Sequence, residues 1–257
     1  VSTAARLLVA CLVLALGAIG LYVIGQTSTS GSEQASGFTV PELDVHPGQA
    51  APRGQAQGAG LPAPNAAAAL ARWSAGVSER TDIPRRALHS YALAELRLRK
   101  LAPGCRLSWT TLAGVGRAES QHGQHEGGTL EADGRPSRPI VGPVLNGSSG
   151  VKALRDTDNG RLDEDRRWDR AVGPMQFLPA TWAKWSVRAS GDGRPADPQS
   201  LDDAALTAGR YMCSAGGDLA TPSGWWRAVL SYNASADYGR VVFSGADAYA
   251  HASAQRS

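Results

Sequence analysis

Beyond residue 66, apolar residues return at helical spacing, and proline, glycine or a capping hydroxyl marks most of the breaks. Leu70, Trp73 and Val77 lie on one helical face. Pro84 suits a first helical turn, and Leu88, Tyr91 and Leu98 carry a stripe until Pro103-Gly104 stops it. Ser108 is an N-cap candidate for a helix through Gln121, with Gly123 ending it. Pro179 starts a short helix bearing Trp182 and Trp185. Residues 203–214 form another, with Leu206, Gly209 and Cys213 on one side. Ser223 is placed to cap a helix carrying Trp226, Val229 and Tyr232, and a last helix spans 236–250. Strand-like alternation is weak throughout. The polar stretch from Gly123 to Arg170 is too long for a structureless loop in a compact domain, so it reads as a functional flap, with room for a short hairpin, that walls a cleft. The expected fold is mainly α, in the α+β sense: one helical domain over 66–257 with a small irregular or β-like part.

The first 65 residues differ. Leu7 to Ile24 is an uncharged apolar run of membrane-spanning length, with Arg6 before it and no further Lys or Arg until Arg53. Residues 1–25 therefore read as a transmembrane anchor, or alternatively as a cleaved signal that releases a secreted protein. Either reading places the remainder outside the cytoplasm. Residues 26–65 are rich in Gly, Ser, Gln, Ala and Pro and read as a flexible linker. The net charge of +3 is too small to indicate nucleic acid. Of three cysteines, Cys11 lies in the apolar run, which leaves Cys105 and Cys213 to pair in an oxidising compartment.

Leu112, Val115 and Glu119 share one helical face. A carboxyl on that apolar face is costly to ionise, and its place in the last turn adds an unfavourable dipole. Both effects favour the protonated form, which a general acid requires. Spacing alone leaves open a Glu paired with Arg117 or one that reaches solvent.

Three motifs occur in order: Ala118-Glu119-Ser120, the run Gly173-Pro174-Met175-Gln176-Phe177-Leu178-Pro179-Ala180-Thr181-Trp182, and Leu230-Ser231-Tyr232-Asn233. With the flanks Leu107 to Gly114 and Gly224 to Val229, they resemble the lytic murein transglycosylases, of the membrane-bound B type found in actinobacteria. The resemblance covers residues 68–250. It implies a lysozyme-like fold and cleavage of the β-1,4 bond between N-acetylmuramic acid and N-acetylglucosamine in peptidoglycan. It implies that Glu119 acts as acid and then as base, and that Gln176, Tyr232 and Asn233 line the sugar cleft. Tyr211 and Tyr238 match further aromatic positions of that cleft. The expected partners are glycan strands and, through the N-terminal segment, the membrane; the protein is expected to act as a monomer.

A conventional glycosidase needs a second carboxylate, about 5 Å away in retaining enzymes. Glu126, Glu131, Asp133 and Asp169 are candidates, and no pattern singles one out. The implied reaction needs only one carboxyl group, because the muramyl C6 hydroxyl closes a 1,6-anhydro ring without water. A hydrolytic muramidase and a catalytically silent peptidoglycan-binding domain are the alternatives. No cofactor is expected. Relatives of this type often carry an EF-hand-like loop where Ser190 to Gly193 and Asp202-Asp203 stand here. Arg188 occupies the first ligand position, so a calcium loop near Asp192 and Asp203 would be degenerate. The acidic Asp156 to Gly160 segment has its glycine one place early for an EF-hand and reads as a solvated turn.

Overall fold

The structure, a computed structural model, describes residues 37–54, 56 and 63–255. The apolar run Leu7–Ile24 lies outside the described residues. Among the described residues, no helix is long and apolar enough to cross a membrane.

The fold is mainly helical, as the apolar periodicity predicts. Among the described residues, seven α-helices follow in order: α1 Ala63–Ser78, α2 Arg85–Leu101, α3 Trp109–Ser120, α4 Pro179–Trp185, α5 Leu201–Gly216, α6 Pro222–Tyr232 and α7 Ala236–Ala254. Two short 3₁₀ turns, His125–Gly127 and Ser148–Gly150, lie between α3 and α4. One helix end differs from expectation. Thr221, not Ser223, caps α6: its hydroxyl accepts from Gly224 N, and Pro222 takes the first helical position. Helix α3 stops at Ser120, with Gln121 already left-handed.

Helix α3 sits at the centre. Every residue in it except Arg117 is buried, so the single apolar face seen in the sequence understates its burial. Its small residues explain how neighbours come so close. A Cβ on Gly114 would meet Val242 O of α7 at 2.5 Å, and one on Gly116 would meet Tyr91 Oη of α2 at 2.0 Å. At Gly209 in α5, a Cβ would strike Leu98 and Leu107. The fully buried Leu112 contributes about 2 kcal/mol by leaving water. The start of α3 is held by Ser108, which accepts from Thr110 N, and by Glu95 of α2, whose carboxylate accepts from Trp109 N at 2.8 Å.

Cys105 and Cys213 form a disulfide with their Cα atoms 5.3 Å apart. It ties the loop before α3 to the last turns of α5.

Residues 26–65 read as a flexible linker; within them, the described residues 37–54 lie along the domain as a strap. Phe38, Val40 and Leu43 are partly buried against the core, and Val45 is buried. Phe38 stacks on Tyr249, Leu43 N donates to Ser244 Oγ, Trp226 Nε1 donates to Gln49 O, and Thr110 Oγ1 donates to Pro52 O. Composition averaged over the whole segment hides these few apolar positions, which suffice to dock an extended chain.

The polar stretch after α3 is built from isolated β-bridges and side-chain-capped turns rather than ladders. Bridges join Leu130 to Pro136, Val141 to Val172, Arg155 to Trp168 and Val172 to Phe177. A small second core of Leu145, Val151, Ala171 and Leu178 supports it. Gly173 is left-handed at φ 76°, and a Cβ there would lie 1.8 Å from Pro198 O. Gly173→Ala is therefore expected to cost at least about 2 kcal/mol, through backbone strain and displacement of Pro198. Chemical denaturation checks this, and an unchanged midpoint would contradict it.

Candidate active site

Glu119 lies on the last turn of α3 and is 5% exposed. Its one hydrogen-bond partner among the described residues is Tyr238, in the first turn of α7, whose Oη donates to Glu119 Oε1 at 2.6 Å. Arg117 does not pair with it; that guanidinium lies 3.5 Å from Asp82 instead. Burial pushes the Glu119 carboxyl up to about 8, against the opposing pull of the Tyr238 hydrogen bond. Glu119 is thus mostly neutral at pH 7. Tyr238 itself is fully buried, so its hydroxyl orients the acid and its ring offers no cleft surface.

Glu95 makes an instructive contrast. It is also a buried glutamate raised by desolvation. Its oxygens, however, are served by Arg99, Trp109 N and Ala56 N. Such a satisfied carboxylate caps a helix and holds Ala56, just beyond the strap. Among the described residues, Glu119 has one hydroxyl partner and no cation, which leaves a proton to give and an oxygen to receive one.

The turn Gly173 to Gln176 stands beside this acid. Gln176 N donates to Gly173 O, and Phe177 pairs back on Val172. Ser120, next to Glu119, donates its Oγ to Pro174 O at 2.6 Å and accepts from Gly123 N. Tyr232, at the end of α6, donates its Oη to Met175 O at 2.7 Å. Two carbonyls of the turn are thereby fixed to α3 and α6. Gln176 is left-handed at φ 46° and donates its amide to Gly173 O. Its Oε1 presses on Gly142, where a Cβ would lie 2.6 Å away. Burial raises the Tyr232 phenol well above its ordinary value, and the nearby Glu119 charge adds to this.

The sequence-predicted residues therefore fall into three sets. Glu119 and Tyr238 touch, while Gln176 and Tyr232 join them through the braced turn. Tyr211 is reached through rings: its centroid is 5.9 Å from that of Tyr232 and 5.7 Å from that of Trp185, and its hydroxyl donates to Ser231 O. Asn233 is buried and its Oδ1 accepts from Ser235 N, a local bond at the start of α7. Sequence reasoning overlooked Ser120 as a brace, although a hydroxyl directly after the acid was visible.

At the other acidic positions, Arg188 donates to Asp192 through Nε and Nη2, and to Asp203 through Nη1 at 2.8 Å. The guanidinium lies between these carboxylates and holds Asp192 well below the usual carboxylate range. Asp156, Asp158 and Asp169 bring oxygens within 4.8 Å of one another, the spacing of possible metal ligands. Each also accepts backbone N–H bonds: Asp156 from Asp158 and Gly160, Asp158 from Arg161 and Leu162, Asp169 from Thr157. In the segment read as a solvated turn, Thr157 and Asn159 are exposed, Asp156, Asp158 and Gly160 are half-buried, and the carboxylates cap the backbone.

Comparison with protein-family models, with curated proteins and with solved structures found no match. The functional reading accordingly rests on the site's own chemistry and on the motifs.

Tyr238→Phe removes the bond that lowers the Glu119 pKa. The carboxyl midpoint is then expected to rise above its value of about 8. Infrared difference spectroscopy of the carboxyl band reads this, and a midpoint that falls would show that another group sets it.

Proposed function

We propose that this protein is a peptidoglycan lytic transglycosylase with a lysozyme-like fold, anchored or secreted outside the cytoplasm, and that Glu119 is its lone acid and base. The single observation that carries this reading is a buried, singly hydrogen-bonded glutamate with its pKa raised to about 8, beside the Gln176 turn. The ordered motifs around Glu119, Gln176 and Tyr232-Asn233 point the same way.

In this reading Glu119 gives its proton to the oxygen linking muramyl C1 to the next sugar, and the C1–O bond breaks. The carboxylate so formed keeps the Tyr238 hydrogen bond, which strengthens as charge develops. Glu119 then takes the proton of the muramyl C6 hydroxyl as O6 bonds to C1. Acid and base roles fall to one group in sequence, and no water is consumed. The Gln176 amide, which keeps one N–H beyond its bond to Gly173 O, and the half-buried Tyr211 ring offer hydrogen-bonding and apolar surfaces suited to acetamido sugars. The carboxylates of Asp156, Asp158 and Asp169 take no part in this chemistry.

Incubation with purified sacculi tests the reading. Soluble muropeptides are expected to appear with time. Protein that sediments with sacculi yet releases nothing has a binding role only.

A further inference from the structure

In the two residues that follow Ser120, the chain does something uncommon. Gln121 and His122 are both left-handed, at φ 51° and 61°, and neither is glycine. Consecutive strained residues persist only where their surroundings hold them, and such strain gathers at functional sites. Here the turn ends α3 directly after Glu119-Ser120: Gln121 N donates to Arg117 O, and His122 N donates to Gly116 O. It thereby aims Ser120 Oγ at Pro174 O and keeps the Gln176 turn beside Glu119.

The His122 side chain shows what holds the turn. It is 1% exposed and lies between two tyrosines. Tyr249 Oη donates to Asp82 Oδ1 at 2.8 Å, so its oxygen accepts from His122 Nε2 at 3.0 Å. His122 is then the Nε2–H tautomer, and its Nδ1 accepts from Tyr91 Oη at 3.2 Å. Burial lowers the His122 pKa to about 4, so this neutral tautomer holds at pH 7. The bonds run in one direction, Tyr91 to His122 to Tyr249 to Asp82, and Arg117 faces Asp82 at the far end. The chain joins α2, the turn after α3, α7 and the α1–α2 loop. Phe38 of the strap stacks on Tyr249. No step of the proposed reaction uses any of these groups.

We infer that His122 is a positioning residue: its directed bonds to Tyr91 and Tyr249 hold the left-handed turn that fixes Glu119 against Tyr238 and beside Gln176. The link to catalysis rests on the reading of Glu119 as the acid. The positioning itself is read from the Glu119 carboxyl, whose perturbed titration depends on its tight burial.

Carbon NMR of the Glu119 carboxyl in the full chain, assigned by its loss in Glu119→Gln, provides the test. In His122→Ala, water gains access as the turn relaxes. The midpoint is then expected to drop by at least about one pH unit towards the ordinary carboxylate value. Tyr91→Phe keeps the ring and removes the donor to Nδ1, so it should shift the midpoint in the same direction by less. Release of muropeptides by His122→Ala should fall at least about tenfold. A role in stability alone would lower the melting temperature and leave the midpoint in place. A folded His122→Ala with an unmoved midpoint overturns the inference; if that variant does not fold, an unmoved midpoint in Tyr91→Phe does so. If the parent chain cleaves no glycan while the midpoints move as stated, the functional reading fails and the positioning role of His122 stands.

Discussion

Glu119→Gln is expected to release no muropeptides while still folding and sedimenting with sacculi. The loss should be at least about 10³-fold, because in the proposed reaction one group supplies both proton transfers. The same substitution has an opposite effect on stability. The folded Glu119 titrates at about 8, above its ordinary value of 4.5. Between those values the folded state keeps a proton that the unfolded chain has released. The contribution of Glu119 to stability is thus fully present below pH 4.5 and is lost as pH rises through 8. Glutamine stays neutral and escapes this loss. Glu119→Gln should match the parent in stability near pH 4 and exceed it by a few kcal/mol above pH 8, because each tenfold change in proton affinity is worth about 1.4 kcal/mol. Denaturant midpoints across that range read the difference. A variant less stable than its parent at pH 9 would show that Glu119 is a paired structural carboxylate, as Glu95 is.

The second large effect concerns the disulfide. Replacing Cys105 and Cys213 together by alanine removes a cross-link between positions 108 residues apart. The expected cost is about 2–5 kcal/mol. For a domain of this size that lowers the melting temperature by roughly 10 °C. The bridge lies where the Leu219 N to Cys105 O hydrogen bond also joins the loop before α3 to the chain after α5. Thermal unfolding with and without reductant measures the cost; identical melting curves would mean that packing alone holds this corner.

Much of the helical framework was legible, because helices declare themselves through apolar period and caps. Leu88, Tyr91 and Leu98 on α2, and Trp226, Val229 and Tyr232 on α6, carry that signal plainly. The strap was not legible: an extended segment docks through a few alternate apolar residues and backbone bonds, and these vanish in a Gly- and Pro-rich average. The end of α3 near Gln121 was legible, but Gly123 is the obvious left-handed residue and not the first one. Gln121 and His122 adopt that conformation first, held by long-range bonds to Tyr91 and Tyr249 that no local pattern records.

The site was legible in the same uneven way. Periodicity marked Glu119 as a carboxyl among apolar residues, yet could not say whether Arg117 neutralised it. The fold answers that, since Arg117 turns to Asp82 and, among the described residues, Tyr238 is the one that hydrogen-bonds Glu119. Tyr238, matched in the sequence to an aromatic position of the cleft, is buried with its hydroxyl bonded to Glu119. Tyr232 and Ser120 brace the Gln176 turn from two helices, a role set by distances across more than fifty residues of sequence.

The nature of the new chain end tests the central claim most directly. Sacculi digested in water labelled with heavy oxygen should yield muropeptides that end in 1,6-anhydromuramic acid, lighter than the hydrolysed product by one water and free of label. Reducing ends that carry the heavy oxygen would contradict the account, since water and not the C6 hydroxyl would then be the group that Glu119 activates.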